Sequence, residues 1–332
     1  MDKIIETEIS NYNPLVSIVI PVFNGSNYVE QAINSALDQT YKNIEIIVIN
    51  DGSTDDGKTD KICSSYGKKI RYINRKENKG ISYTLNEGIR AMEGEYFSWL
   101  SHDDVYKKNK IERQIDFLKS VFLKENLIDR RICLCGASET IDSKGKFIRR
   151  NISKKTSSIK RDINQLILEN VKKYEIGGCT TLIPKEAFLD CGFFNEKLKT
   201  VQDAEMWYRM IFKGYCFCYL GESLVQSRVH KSQTGNQLSK KFIEERSELQ
   251  TWIAQTIIDY QGLQSFIYVK KLGFFQRIRG YKNASNICLN YCKRITKNPF
   301  KIVCLKLVYV WANIVFVVRS FLRFIYRKIV VR

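Results

Sequence analysis

Three short stretches combine polar and acidic residues in a way that could do chemistry: "PVFN" from Pro21 to Asn24, "NDGSTDD" from Asn50 to Asp56, and "SHDD" from Ser101 to Asp104. Adjacent carboxylates at Asp103 and Asp104 repel one another unless a cation sits between or beside them. Hard divalent ions such as Mg2+ are held by one or two carboxylates plus substrate phosphates, with water completing the shell. A nucleoside diphosphate is therefore a ligand that such a pair suits. Each stretch also has a plainer reading. Asp and Asn after a strand are ordinary turn formers, and "HDD" could cap the helix that follows. Turn formation does not require the three to converge, so the elements that carry them decide between the readings.

Those elements alternate. "VSIVIP" (Val16 to Pro21) and "IEIIVIN" (Ile44 to Asn50) are short, β-branched and apolar on both faces, as parallel strands covered on both sides are. Between them "NYVEQAINSALDQ" puts Val29, Ala32, Ile33, Ala36 and Leu37 on one helical face, with Asn27 and Glu30 spaced as a capping box. "IRYINR" reads as a strand, "ISYTLNEGIRAM" as a helix, "EYFSWL" as a strand and "KIERQIDFLKSVF" as a helix. The pattern predicts an α/β fold with a doubly wound, mostly parallel sheet, whose ligands bind beyond the carboxyl ends of the strands. All three polar stretches end strands, so all three fall on that edge.

The chain has 332 residues, 44% hydrophobic and 12% aromatic, enough for a large domain and an appendage. No basic start with an apolar middle and small-residue cleavage site opens it, so a cytosolic N-terminus is expected. The ten cysteines are scattered. Cys133/Cys135 and Cys216/Cys218 read as alternate positions in apolar strands, and no C-x-x-C pair points to zinc, so reduced thiols are expected. Charge is uneven. After Asp259 no Asp or Glu occurs, and fifteen Lys and Arg accumulate, leaving +4 of the net +19 to the first 259 residues.

The strand and loop sequences, together with "ENKGISYTLNEGIRAMEGEYFSWLSHDD", resemble the family 2 inverting glycosyltransferases of GT-A fold, over roughly Leu15 to Gly235. The resemblance implies a nucleotide-sugar site: Phe23 against the base, Pro21 and Asn24 shaping that pocket, Asp51 reading the base, and Asp103 and Asp104 as the acidic metal and nucleotide motif. The family's pattern there is D-x-D-D, and this chain has Ser101 in place of the first Asp, beside His102. "GGCTTLIPKEAF" (Gly177 to Phe188) resembles the acceptor-side segment, with Pro184 suited to a helix first turn. "VQDAEMWYRM" (Val201 to Met210) resembles E-D-x-x-x-W-x-R, with Gln202 replacing the Glu and Asp203 where the family places its catalytic base. His230, in "SRVHKSQTG", matches a histidine that approaches the metal or diphosphate. Trp207, Met210 and Ile211 are expected in the core.

The resemblance thus implies an inverting transferase that uses a divalent metal (Mg2+ or Mn2+) and a nucleotide-sugar donor, most simply a UDP-sugar. Its acceptor would be a hydroxyl of a growing surface glycan, free or lipid-linked. No Q-x-x-R-W motif accompanies it, which argues against processive synthases. The alternatives are a sugar nucleotidyltransferase, whose basic glycine-rich loop is missing from "PVFNGSNY", and a degenerate sugar-nucleotide-binding membrane protein, supported by Ser101 and Gln202. Expected domains are 1–235, catalytic, and 236–332, a helical basic extension.

In that extension the longest uncharged run, "LVYVWANIVFVV" (Leu307 to Val318), has twelve residues, against the about 20 that cross a bilayer. Arg319, Arg323 and Arg327 follow at helical spacing. A basic, aromatic-rich helix predicts peripheral attachment to an anionic membrane surface at the inner face of the cell membrane, the alternative being a helix packed on the catalytic domain. No nucleic-acid-binding signature accompanies the charge.

Overall fold

The computed structural model describes residues 3–126, 128–129, 131–151, 163, 166–168, 171, 176–230, 233, 239–259, 266–296 and 298–330, with side chains through 322. The chain divides into two compact units, Met1–Ile163 with Glu175–Leu238, and Asn164–Tyr174 with Ser239–Arg332. The division expected at 235/236 lies outside the described residues.

The first unit opens with helix α1 (Lys3–Ser10) and is built on strand β1 (Val16–Val22), all seven residues of which are buried. Helix α2 (Val29–Leu37) leads to β2 (Ile44–Asn50), then α3 (Lys58–Ser64) to β3 (Arg71–Asn74), and α4 (Ile81–Ala91) to β4 (Tyr96–Trp99). These strands lie parallel in the order β3-β2-β1-β4, and the two-residue β8 (Ile183–Pro184) closes the sheet antiparallel to β4. The β-branched runs of β1 and β2 meet in register, Ile18 beside Ile46 and Ile20 beside Val48, and α2 lays Val29, Ala32, Ile33 and Ala36 into the same core. In α4, Gly88 faces Val19 with no room for a Cβ, so that helix rides close on β1.

A second sheet was not legible in the strand pattern. Its strands are β5 (Val105–Tyr106), β6 (Ile132–Ile141), β7 (Phe147–Asn151) and β9 (Cys216–Arg228), in the order β5-β9-β6-β7. Helix α5 (Lys110–Glu125) precedes β6, while α6 (Lys185–Cys191) and α7 (Gln202–Phe212) precede β9. β6 and β9 run parallel along their length, pairing Ile132 with Cys216 through Ile141 with Arg228. The four alternate cysteines sit in these strands, and all ten cysteines of the chain are free thiols.

Three local expectations are corrected. Tyr28, not Asn27, is the N-cap of α2, and no side chain caps it; the turn is held instead by the Gly25 carbonyl, which accepts from the amides of Tyr28 and Val29. Pro184 is the N-cap of α6, one residue before the first helical turn. Asp103 and Asp104 cap no helix, because the next one begins at Lys110 after Asn109.

The second unit contains α8 (Ser239–Asp259), α9 (Phe266–Ile278), α10 (Lys282–Ile295) and α11 (Pro299–Val330). Gln276 Nε2 donates to the Gln250 carbonyl at 3.1 Å and Ser285 Oγ to the Gly273 carbonyl at 2.9 Å, linking α9 to α8 and to α10. In α11 the stretch Pro299–Leu322, 24 residues, is long and apolar enough to cross a membrane. Lys306 and Arg319 end the twelve-residue uncharged run without ending the helix, so the apolar stretch is longer than that run alone. Of the tail's other basic residues, Lys297 and Arg332 lie outside the described residues, as do the side chains of Arg323, Arg327 and Lys328.

Candidate active site

The carboxyl ends of β1, β2 and β4 deliver their loops to one edge, and the loops are bonded to each other. After β1, Asn24 takes a left-handed conformation (φ 48°), which Asn tolerates better than most residues. Its Oδ1 accepts from the Thr54 amide at 2.7 Å and its own amide donates to Ser53 Oγ at 2.8 Å, so the loops after β1 and β2 are tied. Pro21 is buried, whereas Phe23 is 39% exposed and stands on the rim instead of in the core. His102 packs against Gly25, where a Cβ would lie 2.6 Å from its ring, and hydrogen-bonds the Pro21 carbonyl. Burial holds its imidazole below the usual range, in the neutral form.

Asp51 is buried and oriented from three sides. Its two oxygens accept from the amides of Lys79 (2.9 Å) and Gly80 (2.8 Å) at the start of α4, and Arg75 Nη1 lies 3.0 Å from Oδ1. Anionic groups are stabilised at a helix N-terminus in this way. Arg75 also stacks over Tyr83 at 4.4 Å, leaving its Nη2 buried without a hydrogen-bond partner among the described residues. Asp51 thus fixes the loop that precedes α4 at the ligand edge.

The acid pair after β4 meets the end of β9. His230 Nε2 is 3.0 Å from Asp103 Oδ2, and Gln233 Nε2 is 3.5 Å from the same oxygen. Asp104 Oδ1 accepts from the Arg228 amide at 2.9 Å. Burial, and then the neighbouring Asp103 charge, push the Asp104 carboxyl up to about 7. Arg228 is itself fully buried. Its Nε donates to the Asp103 carbonyl at 2.9 Å and its Nη2 to Gln31 Oε1 at 2.8 Å, and its guanidinium lies 4.6 Å above the Tyr28 ring. His230 packs on that ring too, at 5.2 Å between centroids.

Ser101, where a third carboxylate would stand, points its hydroxyl at Cys179 Sγ across 3.2 Å. Burial raises that thiol far above its ordinary range. A neutral pair thus replaces an acid that would add to the repulsion between Asp103 and Asp104.

Beneath β4, Lys110 is fully buried. Its ammonium donates to Ser98 Oγ (2.7 Å), Gln114 Oε1 (2.9 Å) and the Thr181 carbonyl (3.3 Å), and lies 4.2 Å over the Tyr106 ring. Among the described residues no carboxylate pairs with it, and burial pushes its pKa down to about 7.

Asp203 is the second residue of α7, half-buried, with Oδ1 accepting from the Ala204 amide at 2.7 Å. The N-cap is Val201. The segment leading to it crosses the start of α4: Ser82 Oγ donates to the Leu198 carbonyl at 3.4 Å, and Asn86 bonds the backbone of Phe194 in both directions. Behind it Trp99, Phe194, Trp207 and Phe217 stack edge to face, with Met210 and Ile211 buried as expected. Gln202 Oε1 and Trp99 Nε1 are buried without a partner among the described residues.

Asp103, Asp104 and His230 are thus brought together, as are Asn24 and Asp51 through the bonded loops after β1 and β2, while for Asp203 it is the segment leading to it that meets the start of α4. Among the described residues no three His, Cys, Asp or Glu side chains converge on one point. Asp103 with His230 could hold a metal ion, while Asp104 turns one oxygen back to Arg228. A carboxylate with an imidazole fits a divalent ion that completes its shell with diphosphate and water. Arg228 was missed because it precedes His230 in a strand that pairs with nothing near it in sequence; its only signal was an arginine in an otherwise uncharged run, Ser223 to Val229.

Comparison with known proteins gives the family and the fold. The family model described as glycosyl transferase family 2 matches residues 17–188. An uncharacterized glycosyltransferase of Rickettsia conorii is 39% identical over 294 residues, covering 86% of this chain, which spans 46% of that relative's length. A Bacillus subtilis glycosyltransferase assigned to teichuronic acid biosynthesis, TuaG, is 28% identical over 66% of this chain and 81% of its own. The crystal structure of Staphylococcus aureus TarS residues 1–349 in complex with UDP-GlcNAc superposes with a TM-score of 0.61 at 17% identity, covering 91% of this chain and 88% of that one. That likeness carries the fold, an α/β domain of GT-A type followed by helices.

Proposed function

The chain belongs to glycosyl transferase family 2, and from that membership we propose that it transfers a sugar, with inversion, from a UDP-linked donor to a hydroxyl of a growing surface glycan. The observation that carries the reading is the Asp103–His230 pair at the strand edge, beside the bonded loops of Asn24 and Asp51. UDP as carrier is supported by TarS, whose fold this chain shares and which was crystallised with UDP and with UDP-GlcNAc. A polysaccharide acceptor is supported by TuaG. The acid-free basic tail supports work at the cytoplasmic face of a membrane, on a free or lipid-linked glycan.

In this reading Phe23 lies against the base, whose polar edge meets the loops that Pro21, Asn24 and Asp51 shape. Asp103 and His230, backed by Asp104, would hold Mg2+ or Mn2+, and such an ion neutralises negative charge on the departing diphosphate. Asp203 takes the proton of the attacking hydroxyl, so that attack at the anomeric carbon and loss of the diphosphate occur in line.

A panel of nucleotide sugars offered to the purified protein with Mn2+, scored by released diphosphate, tests the proposal. Turnover with a UDP-sugar and a glycan acceptor supports it; nucleotide-sugar synthesis from a sugar phosphate and a nucleoside triphosphate contradicts it.

A further inference from the structure

Helix α11 has two apolar faces, and among the described residues only one of them has a partner. Leu305, Tyr309 and Ala312 are buried, spaced as one face of a helix. They sit on the side packed against α9, where Gly273 leaves no room for a Cβ beside the Tyr309 hydroxyl and Gly280 admits the Phe316 ring. On the other side Val303, Leu307, Val310, Ile314, Val317 and Phe321 recur at alternating steps of four and three residues, each 49–62% exposed. A helix apolar all round is covered by protein or by lipid.

Charge decides which. From residue 260 onward there are fifteen basic and no acidic residues, and Lys301, Lys306 and Arg319 are exposed on α11 itself. The alternating spacing would suit a second copy of the helix, but two such faces bring like charges together with no carboxylate to pair them. An anionic phospholipid surface supplies the missing charge, about 1 kcal/mol per basic residue near it. Orientation follows from α9. Crossing the bilayer would carry the attached α9, with Lys270, Lys271 and Arg277, into hydrocarbon at about 2.5–3.5 kcal/mol for each charge.

We infer that α11 lies in the plane of an anionic membrane, its Val303–Phe321 face inserted among the acyl chains and its Leu305–Ala312 face kept on α9. Trp311, 59% exposed and at the middle of the Pro299–Leu322 stretch, then sits at the interface, where tryptophan is favoured. This adds to the function proposed above the helix that meets the lipid and its orientation. Vesicle binding measured without substrate separates its failure from a failure of the transfer chemistry.

The test is flotation of the full chain with vesicles of phosphatidylglycerol and phosphatidylcholine, and with phosphatidylcholine alone, combined with quenching of Trp311 by lipids brominated at different depths. Binding to the anionic vesicles only, shallow quenching that disappears in Trp311→Phe, and at least tenfold weaker binding in Leu307→Glu/Ile314→Glu with an unchanged thermal midpoint are expected. Maximal quenching at the bilayer centre would establish a crossing helix and overturn the in-plane orientation. A dimer in buffer that the double variant dissociates, with no vesicle binding by the unaltered chain, would assign the face to a second copy and overturn the lipid partner.

Discussion

The backbone amide of Arg228 donates to Oδ1 of Asp104 across 2.9 Å, joining the last residue of β9 to the acid pair that follows β4. The same arginine's Nε holds the Asp103 carbonyl and its Nη2 holds Gln31, so one buried side chain fixes the pair, the first turns of α2 and the end of the second sheet. Arg228→Met keeps the amide but leaves buried carbonyls unmet, at about 1–3 kcal/mol for each. A lower thermal midpoint and at least tenfold weaker UDP binding in the presence of Mn2+ are expected. If both match the unaltered protein, Arg228 does not position the acids.

Asp203 is the proposed base, and a base acts in the transition state. Asp203→Asn should lower kcat by roughly 10²-fold or more while the Kd for the UDP-sugar stays within about twofold. Rapid-quench turnover beside equilibrium binding of the donor separates the two. Near-normal turnover in the variant would return Asp203 to a residue that merely favours the N-terminal end of α7 by its charge.

Phe23 stands exposed at the rim, so its removal costs little in folding and much in stacking. Phe23→Ala should weaken UDP binding by about threefold to tenfold, corresponding to about 0.5–1.5 kcal/mol of aromatic contact, and Phe23→Tyr should restore it. A fall in the thermal midpoint without loss of UDP affinity would make it a packing residue after all.

Lys110 predicts a pH dependence of stability. Its pKa is lowered on folding, from the ordinary lysine value to about 7. Between those values the unfolded chain binds a proton that the folded chain does not, so stability rises with pH from about 7 toward 10, by at most about 1.4 kcal/mol per unit. Lys110→Met carries no such proton and should lack this rise, so the stability of the unaltered protein relative to the variant should increase from pH 7 to pH 9. Urea midpoints of the two proteins at pH 7, 8 and 9 measure this, and a constant gap would contradict it.

The first sheet was legible because its strands are continuous apolar runs bounded by turn residues, and the chain alternates strand with helix at short range. The second sheet was not, because β6 finds its partner in β9 some eighty residues later, and β5 is only two residues long. Type and motif order pointed to Asp103, Asp104 and His230, which the structure brings together, and to Phe23, which it leaves exposed. Arg228 and Lys110 were not, since a buried cation in a sequence looks like a solvated one until its partners are known. The capping box at Asn27 and Glu30 failed for a related reason: the Gly25 turn already supplies the first hydrogen bonds of α2.

The metal and diphosphate side of the proposal passes through Asp103, whose carboxylate faces His230 at the strand edge. Titration calorimetry of UDP, with and without Mn2+, into the unaltered protein and Asp103→Asn tests it most directly. The account predicts that Mn2+ strengthens UDP binding to the unaltered protein and that the variant, folded with an unchanged circular dichroism spectrum, loses this Mn2+-dependent gain. Equal Mn2+-dependent affinity in the two proteins would contradict it.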